Sequence, residues 1–158
     1  MKRLIVTTAL YAAVTFPLLA QGLGPGYGPG YGPGQGSAPV VVPATPEEVQ
    51  WMQFMREEEK LARDVYRFLY LKWNLAVFDK IAASEQQHFT AIGNLITRYK
   101  IDDPAATDTP GVFVDSRFAK LYADLTAKGA LSLKDALEVG VLIEQTDIDD
   151  LSRAIVET

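Results

Sequence analysis

Glu85 and His88 stand three residues apart, and His88 is the only histidine among the 158 residues. They fall in a stretch from Val77 to Tyr99 whose apolar residues recur with helical spacing. Wound at about 100° per residue, Val77, Phe78, Ile81, Phe89, Ile92, Leu95, Ile96 and Tyr99 share one arc. Glu85 and His88 fall in the middle of that arc, not opposite it. A carboxylate taken out of water is costly unless something pairs with it. An inward Glu-x-x-His therefore needs a partner, and a metal ion suits a carboxylate oxygen and an imidazole nitrogen together.

Two further segments repeat the oddity. In the first, Trp51, Met52, Phe54, Met55, Leu61, Ala62, Val65, Tyr66 and Leu69 form an apolar arc, with Arg56, Lys60, Arg63, Asp64 and Arg67 opposite. Glu58 and Glu59 fall within or at the edge of the arc. Either can be a half-buried carboxylate paired with Lys60 or Arg63 at helical spacing, and Glu57, at the polar border, is expected to be one. For Glu59 a functional role is favoured, because Tyr66 lies two turns on along the same face, its hydroxyl placed to reach a carboxylate cluster.

Nearer the C-terminus, Leu133, Ala136, Leu137, Val141, Ile143, Ile148, Leu151, Ala154 and Ile155 define an arc with Glu144 and Asp147 in its middle. Glu138, Asp149 and Asp150 are expected to face solvent. Gly140 faces inward about a turn before Glu144, making room for a close neighbour or a channel. Arg153 points outward, and no cation lies on an apolar arc to neutralise these acids.

Four helices are expected to position these residues. Thr45-Pro46-Glu47-Glu48 reads as a capping box with proline at the first helical position, starting a helix that runs to about Leu71. A second runs from near Asn74 to Tyr99. Asp103-Pro104 and Thr109-Pro110 mark a loop over residues 100–111. A shorter third helix follows from about Ser116 to Lys128, stopped by Gly129. The fourth starts at Ser132-Leu133-Lys134-Asp135, a second capping pattern. No alternating run suggests a sheet, so residues 45–158 read as one all-α bundle.

Lys2 and Arg3 lead into an apolar run that ends at Leu18-Leu19-Ala20, the pattern of a signal peptide over residues 1–20. An uncleaved anchor is the alternative; in both cases the domain is exported, periplasmic or extracellular. Residues 21–44 form a linker built on a Gly-Pro-Gly-Tyr repeat, too poor in apolar surface to fold. The absence of cysteine excludes thiolate zinc sites, iron–sulfur clusters, disulfides and a lipidated cysteine anchor. A formal charge of −5 without any basic stripe argues against a nucleic-acid partner.

Carboxylates on three buried faces, with one imidazole, are the parts from which four-helix bundles build di-iron and di-manganese centres. At these residues the chain resembles the ferritin-like superfamily, nearest its rubrerythrin branch. Glu59-Lys60-Leu61-Ala62-Arg63-Asp64-Val65-Tyr66 is similar to that branch's E-x-x-A-R-x-x-Y, and Ile81 to His88 to its I-A-x-x-E-x-x-H. From Met55 onward it resembles exported prokaryotic ferritin-like bundles known as a domain of unknown function. The resemblance implies a ferritin-like four-helix bundle with a short third helix, Glu59 as a terminal ligand, Glu85 as a bridging ligand and His88 as a nitrogen ligand. Glu144 and Asp147 would stand where the last helix of the branch carries E-x-x-H.

Two departures follow. The third helix shows Phe118, Leu121, Tyr122 and Leu125 on its apolar face, with Asp124 turned away, so the ligand it should give is missing unless Glu58, water or another subunit of a homo-oligomer supplies it. There is also no rubredoxin-like domain, so peroxidase cycling would need an external electron donor. The expected function is a di-metal, most readily di-iron, oxidoreductase of ferroxidase or peroxidase type, using oxygen or peroxide, with Tyr66 as hydrogen-bond or one-electron donor. Manganese is the alternative metal. The rival functions are a non-enzymatic metal-binding bundle and a metal-free interaction module.

Overall fold

The first helix among the described residues begins where the capping box places it. In the computed structural model, which describes residues 43–157 and side chains as far as Arg153, α1 spans Pro46–Trp73. Thr45 N–H donates to Glu48 Oε2 at 2.7 Å, and Glu48 N–H to Thr45 Oγ1 at 3.2 Å. Helix α2 covers Ala76–Tyr99, α3 Ser116–Gly129 and α4 Leu133–Glu157. At 14 residues α3 is the shortest. The expected signal peptide over 1–20 and the linker, up to its last two residues, lie outside the described residues. Among the described residues there is no strand, and no helix is long and apolar enough to cross a membrane.

Asn74 and Lys100 end α1 and α2 in the left-handed conformation, with φ of 49° and 56°. Only two residues join α1 to α2, and three join α3 to α4, so each pair forms an antiparallel hairpin. Gly129 does not end α3 as a left-handed cap. It is the last helical residue, and its missing Cβ leaves room for Leu69, whose Cδ2 would lie 2.5 Å from it. Trp73 Nε1 donates to the Gly129 carbonyl at 2.8 Å, tying the end of α1 to the end of α3.

Helix α1 is the hub, packing against α2, α3 and α4, while α3 packs on α4. Leu61, Val65, Tyr66 and Leu69 of α1 meet Phe78 and Ala82 of α2, Phe118 and Leu125 of α3, and Ala136, Val139 and Ile143 of α4. No close backbone approach links α2 to α4 among the described residues.

The side of α1 expected to face water is buried. The connection from Ile101 to Asp115 crosses it, and Arg56, Lys60, Arg63 and Asp64 lie beneath. Lys60 Nζ donates to Asp64 Oδ2 at 2.8 Å and to the Thr109 carbonyl at 2.6 Å. Arg63 pairs with Asp64 at 2.8 Å and with Asp108. Arg56 pairs with Asp103 at 2.9 Å and donates to the Phe89 carbonyl. Glu57, expected as a surface acid paired with Lys60 or Arg63, is also buried. It accepts from the backbone N–H groups of Val114 and Asp115 just before α3 begins. The helical spacing was right, but a loop outside any periodic pattern covers the polar arc.

Helix α4 is turned relative to the expected arc. Ala136, Val139, Gly140 and Ile143 face the core, whereas Leu137, Val141 and Ile148 are exposed, Val141 by 68%. Asp150, expected in solvent, is buried. Within that core-facing stripe Gly140 makes room for Tyr66, whose hydroxyl would lie 3.3 Å from a Cβ there.

Asp64 neutralises two fully buried cations at once, and replacing it leaves both without that carboxylate. Asp64→Ala is expected to cost roughly 3–5 kcal/mol of unfolding free energy, the scale for breaking a buried pair, in urea denaturation. A loss below about 1 kcal/mol, the range of exposed pairs, would mean the loop does not seal this face.

Candidate metal centre

The acidic side chains converge between α1, α2 and α4. Ligand atoms of Glu59, Glu85 and His88 all lie within 4.8 Å of one another. His88 Nδ1 stands 2.9 Å from Glu85 Oε2 and 3.4 Å from Glu59 Oε2. Glu85 is almost wholly buried, and Glu59 Oε2 is sealed from solvent with no hydrogen-bond donor. The i,i+3 spacing on α2 sets Glu85 and His88 on one face a turn apart, and α1 brings Glu59 against them.

The fourth helix adds to the cluster through Tyr66. Its hydroxyl donates to Glu144 Oε1 at 2.8 Å and lies 3.1 Å from the Gly140 carbonyl. A Cβ at position 140 would sit 3.3 Å from that hydroxyl, so glycine there permits the approach. Asp147 is close enough to Glu59, Glu85 and Glu144 for their charges to act on it. Glu58 lies on the next position of α1, facing Asp147 and Asp150. Helix α3 gives no carboxylate: Asp124 is exposed and paired with Lys120.

The structure thus brings Glu59, Glu85 and His88 into one triad, ties Tyr66 to Glu144, and sets Glu58 and Asp147 beside a carboxyl group, Asp150, that sequence reasoning placed in solvent. Asp150 lies three residues after Asp147, a helical spacing that could have drawn it into the set. The leucines and valines of the neighbouring arc pointed the other way.

Electrostatics follow from burial among like charges. Burial raises Glu59 to about 7, Glu85 adding to the rise and His88 opposing it. Burial, then the charges of Asp147 and Asp150, pushes Glu58 up to about 10. Burial disfavours the imidazolium of His88, but Glu59 and Glu85 outweigh it and raise the ring to about 10. Asp147 is raised well above the ordinary range by burial and its acidic neighbours. Glu144 is raised by burial despite the bond from Tyr66. The Tyr66 phenol is raised by burial and by Glu144.

Each of these shifts means that the folded, metal-free site holds protons more tightly than the unfolded chain. Their contribution to stability is complete below the ordinary values of 4.5 for glutamate and 6.5 for histidine. It is lost as pH rises through about 7 for Glu59 and about 10 for Glu58 and His88. The melting temperature of metal-free protein should therefore fall from about pH 5.5 to about pH 8.5, by on the order of 5 °C or more for a domain of this size. Thermal denaturation across that range checks it; a flat or rising profile would contradict the placement of these acids.

Residues 48–158 match the family model of DUF2202, an uncharacterized protein domain. The uncharacterized protein MJ0754 of Methanocaldococcus jannaschii is 49% identical over 116 residues, covering 73% of this chain. The match spans 63% of that relative's length. The crystal structure of hypothetical protein MJ0754 is similar with a TM-score of 0.74 at 48% identity, covering 77% of this chain and 70% of that one. With its four helices and its acidic centre inside the matched region, the chain belongs to the DUF2202 family.

Proposed function

We propose that the acidic centre binds metal and that the domain is a ferritin-like bundle carrying a di-metal oxidoreductase site of ferroxidase or peroxidase type. One observation supports it above the others: Glu59 Oε2 is buried with no hydrogen bond of good geometry, its nearest basic group being the His88 ring at 3.4 Å, which sits closer to Glu85 at 2.9 Å. An oxygen in that state calls for a cation or a proton. The donor set, carboxylates with one imidazole, suits iron, with manganese as the alternative. Glu59, Glu85 and His88 would hold one ion, and Glu144 and Asp147, with Glu58 beside them, would hold the other. Iron bound there would supply one-electron chemistry toward oxygen or peroxide.

The chain's own residues have definite tasks in that reading. His88 must release the proton on the nitrogen facing Glu85 and Glu59 before that nitrogen can bind a cation. Glu58, Glu59 and Asp147 likewise give up protons as positive charge enters, so uptake strengthens as pH rises. Tyr66 holds one oxygen of Glu144 and orients the carboxylate, as outer-shell partners do. It is also the candidate one-electron donor within the cluster. Exported, the centre would need its external electron donor outside the cytoplasm.

A single ion held without turnover is the second reading. It is favoured because, among the described residues, Glu59, Glu85 and His88 alone converge within 4.8 Å, and because α3 gives no donor.

Anaerobic ferrous titration of the protein and a Glu85→Ala/His88→Ala variant, followed by air, tests both readings. Two ions per chain, with rapid ferric absorbance on aeration that the variant lacks, is the expected result. One ion with no acceleration of oxidation would favour the second reading. Equal behaviour of both proteins would overturn the metal assignment. Tyr66→Phe should leave the iron stoichiometry unchanged, cost about 1–3 kcal/mol from unpaired buried groups, and slow oxidation in the same assay.

A further inference from the structure

A cavity of about 290 Å³ opens between α1, α3 and α4, on the side of Glu58 away from the triad's histidine helix. Its walls are apolar, formed by Phe54, Phe118, Leu121 and Ile143 among others. Its polar lining is mostly acidic: Glu58, Asp147 and Asp150 bring carboxyl groups to it, the Thr146 hydroxyl donates to the Leu142 carbonyl, and Arg117 is exposed and already paired with Asp115. Glu58 is only 6% exposed, and the side chain within its hydrogen-bonding reach is another carboxyl group, Asp150. Asp150 pairs with Arg153, but no described ion pair reaches Glu58 or Asp147.

The two features make different demands. Unpaired buried carboxylates require a cation or a proton, which a metal ion alone would satisfy. A greasy hollow of this size is not needed for a bare ion, and its volume is near the lower end of small-molecule sites. A ligand that satisfies both has an ammonium group at one end and a compact apolar body at the other. An aromatic body would also find edges and faces of Phe54 and Phe118, whose rings lie 5.2 Å apart.

We propose that this cavity binds a small apolar primary amine, its ammonium group against Glu58 and Asp147 and its hydrocarbon body between α1, α3 and α4. The site stands beside the acidic triad and does not require that the triad be loaded, but it shares Glu58 and Asp147 with the second ion position proposed above, so the amine binds the metal-free form and an ion held there competes with it.

Phenethylamine is the probe, with 2-phenylethanol as its uncharged counterpart of similar shape, measured by calorimetry on the full chain after chelator treatment. Saturable binding of the amine, at least tenfold tighter than the alcohol, is expected. Glu58→Gln keeps the side-chain shape and should weaken the amine at least tenfold while leaving the alcohol unchanged. Leu142→Trp, which narrows the half-exposed rim of the cavity, should weaken both compounds; circular dichroism verifies that each variant is folded. The Glu85→Ala/His88→Ala variant should bind the amine as well as the parent does. Failure of iron binding with amine binding intact would overturn only the metal reading. No amine binding, equal binding of the alcohol, indifference to Glu58→Gln, or loss in the Glu85→Ala/His88→Ala variant would overturn the cavity assignment.

Discussion

A carboxylate sealed from water must be matched by a proton, a cation or a set of donors, and the arrangement of this bundle turns on how that requirement is met. Glu58 and Glu59 from α1, Glu85 from α2, and Glu144 and Asp147 from α4 gather at one level of the core. His88 is the basic side chain paired with them. Without a bound cation, burial among like charges makes Glu58, Glu59, Glu144 and Asp147 hold their protons above the ordinary range. The small residues of α4, the gap between α2 and α4, and the inward Tyr66 hydroxyl all serve to give these acids space and contact.

The chain does not lack cations to neutralise its acids. On the other side of the same helix, Asp64 is held by Lys60 and Arg63, Asp103 by Arg56 and Asp108 by Arg63. Those pairs are closed, with backbone carbonyls and N–H groups taking up the remaining valences. Helix α1 therefore separates two chemistries within one helix diameter: a face of closed ion pairs, and a face where acids outnumber the one basic side chain, His88, and Glu59 Oε2 is left without a hydrogen bond. A structural need for charge in the core would be met by the first arrangement alone, so the second points to something brought from outside.

Much of this was legible before any coordinates. Thr45, Pro46 and Glu48 define the start of α1 through local bonds that need no tertiary partner, and Ser132 with Asp135 does the same for α4. Glu85 and His88 stand out because a strongly periodic helix leaves no ambiguity about its inner face. The face of α4 differs for a physical reason: leucine and valine dominate a hydrophobic pattern, whereas the inner stripe is Ala136, Val139, Gly140 and Ile143, with glycine where Tyr66 approaches. The covering of Arg56, Lys60 and Arg63 was hidden because the loop has no period. Its signal was only a match of charge between Asp103 and Asp108 and cations some 45 residues earlier. Gly129 had the look of a helix stop, while its role is clearance for Leu69.

The loop over α1 also fixes how this helix can move. The Arg56 guanidinium and the Lys60 ammonium clamp its outer side to Asp103 and Thr109, the Asp64 carboxylate accepts from the Gly111 N–H, and the Arg56 guanidinium lies 2.7 Å from where a Cβ on Gly93 would be. Trp73 pins its last turn to α3. A rod gripped along one side and at its end can neither roll about its axis nor slide along it without breaking several buried pairs at once. Glu58 and Glu59 are thus mounted on the stator of the bundle. Among the described residues, helix α4 has no comparable clamp to α1: the bond from Tyr66 to Glu144 and apolar packing of Ala136, Val139 and Ile143 hold its inner side, while its outer stripe of Leu137, Val141 and Ile148 is exposed.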